Sequence, residues 1–195
     1  MKEFFFDLET TGVKYWKNGI HQIAGAIVID GTLTEEFNFK VRPNPNATIE
    51  EEALSIAGVT KQQIMQYPPM EDVYNSLIAL LGKYIDKYDK YDKFFLIGYN
   101  NSSFDNQFLR AFFTQNGDNY FGSWFWSSQI DVMVLAAFEL MSERAKMENF
   151  KLMTVAKQIG LSIDETKLHD ASYDIQLTIQ IYNAIQEKKL SKVKP

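Results

Sequence analysis

The 195-residue chain has no cysteine, which excludes a disulfide framework, a thiolate metal site and a cysteine nucleophile. Histidine is nearly as scarce, at two residues, so a bound metal has to be held mainly by carboxylates. With only 5 Pro and 10 Gly, the chain is neither collagen-like nor a low-complexity tract. No apolar run approaches the roughly 20 residues needed to span a bilayer. The opening MKEFFFDLETTG lacks the basic segment and cleavage site of a secretory signal, so a cytoplasmic protein is expected. Positive charge is also short: 20 Lys+Arg against 25 Asp+Glu give a net charge of −5 at pH 7. That balance disfavours a protein that grips long nucleic acid through many phosphate contacts.

Apolar and aromatic side chains are abundant. Hydrophobic residues at 46%, with 15 Phe and 10 Tyr, are ample for one core, because a chain this long buries roughly 70% of its unfolded surface. No linker or composition shift divides the chain, and a single domain is expected over residues 1–188. Residues 189–195 read as a short basic tail. Four Lys among the last nine residues favour a frayed, solvated end over an arm that binds a polyanion.

Residues 3–9 place Phe4, Phe5 and Phe6 directly before Asp7-Leu8-Glu9, a continuous apolar run suited to a central strand buried on both faces. A second strand is predicted over residues 20–29 and a third over 33–41, with Asp30-Gly31 turning between them. Thr48 with Glu51, and Thr60 with Gln63, match the capping box that opens a helix. Helical spacing of Val73, Leu77, Leu80, Leu81 and Tyr84 after Pro68-Pro69 predicts an amphipathic helix over 71–85. The Lys/Asp/Tyr run at 83–93 reads as a solvated helix end and loop. Residues 94–99 form another buried strand, and Phe104, Phe108, Phe112 and Phe113 continue it into a helix that stops at Asn116-Gly117. The aromatic patch 120–126 fits core packing better than a base-stacking surface. Helices follow near 131–143, 151–159 and 169–188. The order points to an α/β fold, a mixed sheet flanked by helices.

Asp7 and Glu9, two apart on a strand, project from one face, where a divalent cation such as Mg²⁺ or Mn²⁺ would relieve their repulsion. Taken alone, such a pair is better read as a turn cap, Asp7, and a solvated acid, Glu9; here it is not alone. Asp105 lies in the first turn of its helix, favoured there by the helix dipole, and faces Asp7 if strands 4–9 and 94–99 are neighbours. In HDASYD, His169 stands five residues before Asp174, about 140° away on a regular helix. His169 therefore belongs on the loop or first turn, where an imidazole of pKa about 6.5 suits a general base. Asp174, one turn inside, would complete a metal site. His21, with no acid near it in sequence, takes a structural role.

These residues resemble the DEDDh group of 3′-5′ exonucleases, the family that includes the proofreading ε subunit of bacterial DNA polymerase III. FFFDLETTG is similar to its first motif, NSSFDNQFL to its second and HDASYD to its third, in order and nearly end to end. The sister group with tyrosine places it four residues before the last Asp, where this chain has Asp170. The resemblance implies a ribonuclease H-like mixed five-stranded sheet flanked by helices, its second strand antiparallel. It implies that Asp7, Glu9, Asp105 and Asp174 hold two divalent ions, Mg²⁺ or Mn²⁺, and that His169 takes a proton from the attacking water. It also makes Thr10 and Thr11 candidates for the terminal 3′-hydroxyl, Leu8 for packing on the base and Phe104 for a wedge between the last two bases, with a core anchor an equal reading for Phe104. Tyr99-Asn100 stands where ε-like members often have His-Asn, which puts Asn100 among the candidate substrate contacts, and Ala57-Gly58 stands where they often have His-Gly.

The implied reaction is release of nucleoside 5′-monophosphates from a single-stranded DNA 3′ end, alone or beside a replicative polymerase. Alternatives are an RNA 3′-end trimmer of the ribonuclease T or oligoribonuclease kind, because sequence barely reports how the 2′-hydroxyl is treated, and a non-catalytic end-binding module of the same fold. A two-carboxylate glycosidase fits four acids and a histidine poorly. The acidic balance predicts a distributive enzyme.

Overall fold

Phe4, Phe5 and Phe6 are all buried, and this requires that both faces of the strand carrying them be covered. In the structure, a computed structural model that describes residues 1–164 and 171–193, that strand is β1, Lys2–Thr10. It sits in the middle of a five-stranded sheet of order β3-β2-β1-β4-β5. β2 (Ile20–Ile29) runs antiparallel to β1, and β3 (Thr32–Lys40) antiparallel to β2. β4 (Phe95–Gly98) and β5 (Ile130–Asp131) add in parallel. The two-residue β5 is too short to leave a periodic signal, and the sequence places residue 131 at the start of a helix.

The helices divide between the two faces. Phe4, Phe6 and Leu8 of β1 pack with Ile23 and Ile27 of β2 against α3 (Met70–Gly82) and α4 (Asp105–Gln115). Phe5 packs with Ala24, Ala26 and Ile97 against α5 (Val132–Glu139), α6 (Leu152–Gln158) and α7 (Ala171–Val193). The alternation of a strand thus sends Glu3, Phe5, Asp7 and Glu9 toward the α5–α7 layer. Gly25 lets β1, β2 and β3 close up: a Cβ there would lie 2.3 Å from the Phe5 carbonyl and 2.2 Å from the Phe37 ring.

Two short helices, α1 (Glu51–Ile56) and α2 (Lys61–Ile64), precede α3. Thr60 and Gln63 form the expected capping box. Thr48 does not: the N-cap of α1 is Glu50, with no side-chain cap. The Thr48 carbonyl instead accepts from the Thr11 hydroxyl at 2.7 Å and the Asn18 amide at 2.9 Å, which pins the loop after β1. The 120–126 patch is largely core, with Phe121, Trp124 and Phe125 buried and Tyr120 exposed. α7 runs on to Val193, so the helix crosses the tail boundary placed at 188. Among the described residues, no helix is long and apolar enough to cross a membrane.

Candidate active site

β1 delivers Asp7 and Glu9 to the end of the sheet from which α4 departs. β4 ends at Gly98, and the chain turns through Asn100, whose φ of 59° is left-handed, and Asn101 before α4 begins at Asp105. The main-chain amide of Leu8 donates to Asp105 Oδ1 at 3.2 Å. This bond joins residues 97 apart and sets Asp105 opposite the Asp7–Glu9 strand. On the other side α7 presents Asp174, and a small cavity of about 170 Å³ lies between Asp7, Tyr99, Leu152 and Asp174. Three elements therefore bring four carboxylates to one place.

The electrostatics follow from that crowding. The Asp7 carboxyl is raised well above the ordinary carboxylate range, first by burial and then by the charges of Asp105, Glu9 and Asp174. Burial raises Asp105 to about 7, against the hydrogen bonds from its own helix amide and from Leu8, with Glu9 and Asp131 adding to the rise. Among the described residues no three acidic or histidine side chains already close into a cage; they form an open cluster of mutually repelling oxygens. A divalent cation is the chemistry that such a donor set fits, since hard oxygens suit Mg²⁺ or Mn²⁺ and positive charge removes the repulsion.

The surrounding residues hold these groups in place. Buried Glu3 accepts from the Tyr182 hydroxyl at 2.9 Å, which ties α7 to β1; burial raises the Glu3 carboxyl and pushes the tyrosine up to about 12. Thr178 donates to the Asp174 carbonyl at 2.8 Å. Tyr99 donates to the Phe150 carbonyl at 2.6 Å, joining β4 to the segment before α6. Asp131 is a residue that sequence reasoning missed. Its carboxylate caps α5 by accepting from Met133 N at 3.0 Å, and it also accepts from Asn100 N at 3.0 Å and Ser102 N at 3.3 Å. An Asp just before a helix start was the signal available for the cap; the second use, anchoring the turn into Asp105, has no local signature.

The candidate substrate contacts are placed as follows. The Thr10 hydroxyl donates to the Gly12 carbonyl at 2.8 Å. The Thr11 hydroxyl, fully buried, donates to Thr48 O and accepts from Gly19 N at 2.9 Å. Leu8 is buried in the core. Phe104 is half-buried and packs on Phe108 at 5.0 Å between ring centroids. Asn100 is exposed. His169 lies outside the described residues.

Residues 4–182 match a family model described as an exonuclease, RNase_T. Curated relatives include the PolC-type DNA polymerase III of Oceanobacillus iheyensis, 27% identical over 173 residues, and that of Bacillus cereus, 25% identical over 173 residues. Each match covers 89% of this chain and 10% of the relative, so the chain spans about a tenth of those polymerases. Among solved structures, Escherichia coli exonuclease I in complex with a dT13 oligonucleotide superposes with a TM-score of 0.76 at 20% identity, over 98% of this chain and 42% of that one. A complex described as ExoI/SSB-Ct also gives 0.76, at 19% identity, over 97% of this chain and 42% of the other. These structures share the ribonuclease H-like fold.

Proposed function

Because the chain belongs to the exonuclease family, we propose that it is a metal-dependent 3′-5′ exonuclease that releases nucleoside 5′-monophosphates from single-stranded DNA ends. The observation that carries this reading is the meeting of Asp7, Glu9, Asp105 and Asp174, from β1, α4 and α7, within electrostatic reach of Asp7. Those four residues would hold two divalent ions, which supply Lewis-acid activation of water and stabilisation of the leaving oxygen. His169 acts as general base. The water it deprotonates attacks the phosphorus of the last phosphodiester, the P–O3′ bond breaks, and the leaving 3′ oxygen takes a proton from solvent, so that the shortened strand ends in a free 3′-hydroxyl.

The remaining roles follow from exposure. Phe104 and Asn100 keep accessible surface and touch the terminal nucleotide, while Leu8, Thr10 and Thr11, buried and engaged within the chain, shape the wall behind it. The binding partner is the free 3′ end of a single strand, and the PolC-type relatives support a place beside a replicative polymerase.

A 5′-labelled oligonucleotide should shorten to a ladder with Mg²⁺ and stay intact with EDTA. Asp7→Ala should slow the reaction at least about 100-fold, since loss of residues merely supporting a metal ligand already costs about 10- to 100-fold. An intact oligonucleotide with wild type and Mg²⁺ would sink the reading. A parallel RNA strand, if degraded much faster, would move the substrate class to RNA.

A further inference from the structure

A cleft of about 680 Å³ lies apart from the carboxylate cavity. It lies between the Tyr15–Trp16 loop, the outer turns of α4 and the segment from Phe121 to Gln129. We propose that it is a second nucleic-acid subsite, which takes unpaired bases of the strand upstream of the scissile end. The proposal rests on the exonuclease reading above and names where the rest of the substrate runs.

Three observations carry it. The first is exposed aromatic surface. Trp16 is 71% accessible and Tyr15 37%, set edge to face at 5.1 Å, and Trp126 lines the opposite side. Rings this open give the core little, whereas a nucleobase of any identity stacks on them. The second is charge. None of the lining residues is acidic, in a chain with 25 Asp+Glu. Arg110 lies in the cleft with its guanidinium 4.5 Å over the Phe121 ring and forms no ion pair among the described residues. It is therefore available to a phosphate. The third is continuity. Both walls extend from the elements that hold the carboxylates, since Tyr15 and Trp16 follow the end of β1, and Asn106 follows Asp105 in α4. The Asn106 amide bonds the Gln129 side chain and braces the floor. The volume falls in the range that holds ligands of nucleotide size.

The test uses the whole chain, wild type and the variants Trp16→Ala and Arg110→Gln, both altered at exposed side chains and checked for folding by circular dichroism. Binding of 5′-fluorescein dT12 is followed by anisotropy with Ca²⁺ in place of Mg²⁺. Turnover of the p-nitrophenyl ester of thymidine 5′-monophosphate, which has no upstream base, is followed with Mg²⁺. Trp16→Ala should weaken dT12 binding about 5- to 150-fold, the effect of one lost base stack, with turnover of the small ester unchanged. Arg110→Gln should flatten the plot of log affinity against log salt by about 0.7.

If wild type cleaves DNA but both variants bind dT12 as wild type does, the subsite is overturned and the exonuclease reading stands. If wild type cleaves nothing yet binds dT12 in a Trp16-dependent way, the catalytic reading fails and the subsite stands. Wild type that neither cleaves nor binds overturns both. Self-association of wild type that Trp16→Ala abolishes would assign the cleft to a second copy of the chain and also overturn the proposal.

Discussion

Asp105 and His21 are buried titratable residues that bias stability in opposite directions. Burial lifts Asp105 to about 7, above the unfolded value of about 3.9, so the stability linked to its neutral form is present below pH 4 and lost as pH rises through 7. At pH 8 without metal, the folded protein holds a repelled carboxylate. Asp105→Asn keeps an acceptor for Leu8 N and removes the charge. It should raise Tm in EDTA at pH 8, by roughly 2–4 °C for each kcal/mol relieved, while exonuclease activity collapses and Mg²⁺ stabilises the variant less than wild type. A Tm in EDTA at or below that of wild type would show that the repulsion is not felt.

His21 is fully buried, with neither ring nitrogen hydrogen-bonded among the described residues, and burial, then Lys40, lowers its pKa to about 4. The unfolded imidazole takes a proton near 6.5. Its contribution therefore destabilises the fold as pH falls from about 6.5 to about 4 and levels off below, at about 3 kcal/mol in all. Asp105 changes with the opposite sign in the same window, so the informative quantity is the difference between wild type and His21→Leu. Urea titrations at pH 7.0, 5.5 and 4.5 should show the gap between them shifting in favour of the variant as pH falls; a constant gap would mean that His21 does not titrate as burial requires.

Among the elements, the turn from β4 into α4 depends on β5 for its position. Asp131 accepts two amides of that turn and one of α5. Asp131→Ala leaves all three donors without their acceptor and should cost about 1–3 kcal/mol, read from the urea midpoint. It should also lower exonuclease rate at saturating Mg²⁺ by displacing Asp105, with Asp131→Asn milder in both; a full-rate Asp131→Ala would show that α4 is held in place without it. The elements legible in the sequence were those whose pattern is local. The apolar run of β1, the hairpin at Asp30-Gly31, the Thr60–Gln63 box and the phenylalanine spacing of α4 each state their own structure. Thr48 matched a capping box equally well, but tertiary hydrogen bonds from Thr11 and Asn18 claim its carbonyl, and Glu50 takes the cap position. β5 exists only through its pairing with β4.

Across the whole molecule, a net charge of −5 leaves little general attraction for a polyanion, and the groups proposed to meet the strand are local: four carboxylates through their cations, and one cleft with Arg110. On the proposed function, affinity for long strands should therefore be limited and shallow in its salt dependence. At limiting enzyme, a 5′-labelled single strand should yield many partly shortened products at once; a few fully digested strands beside untouched ones would indicate processive action instead.

The sequence by itself determined the types of the longer elements and the identity of the acids in three family-like motifs, because hydrophobic period and motif spacing are written along the chain. Only the tertiary structure decided that Leu8 N meets Asp105 across 97 residues, that Glu3 meets Tyr182 across 179, that Asp131 anchors the turn leading into Asp105, and that Trp16 opens onto the same cleft as Arg110. Burial and like-charge proximity are properties of the packed sheet and helices, and no local pattern encodes how far a carboxylate stands from water or from another carboxylate.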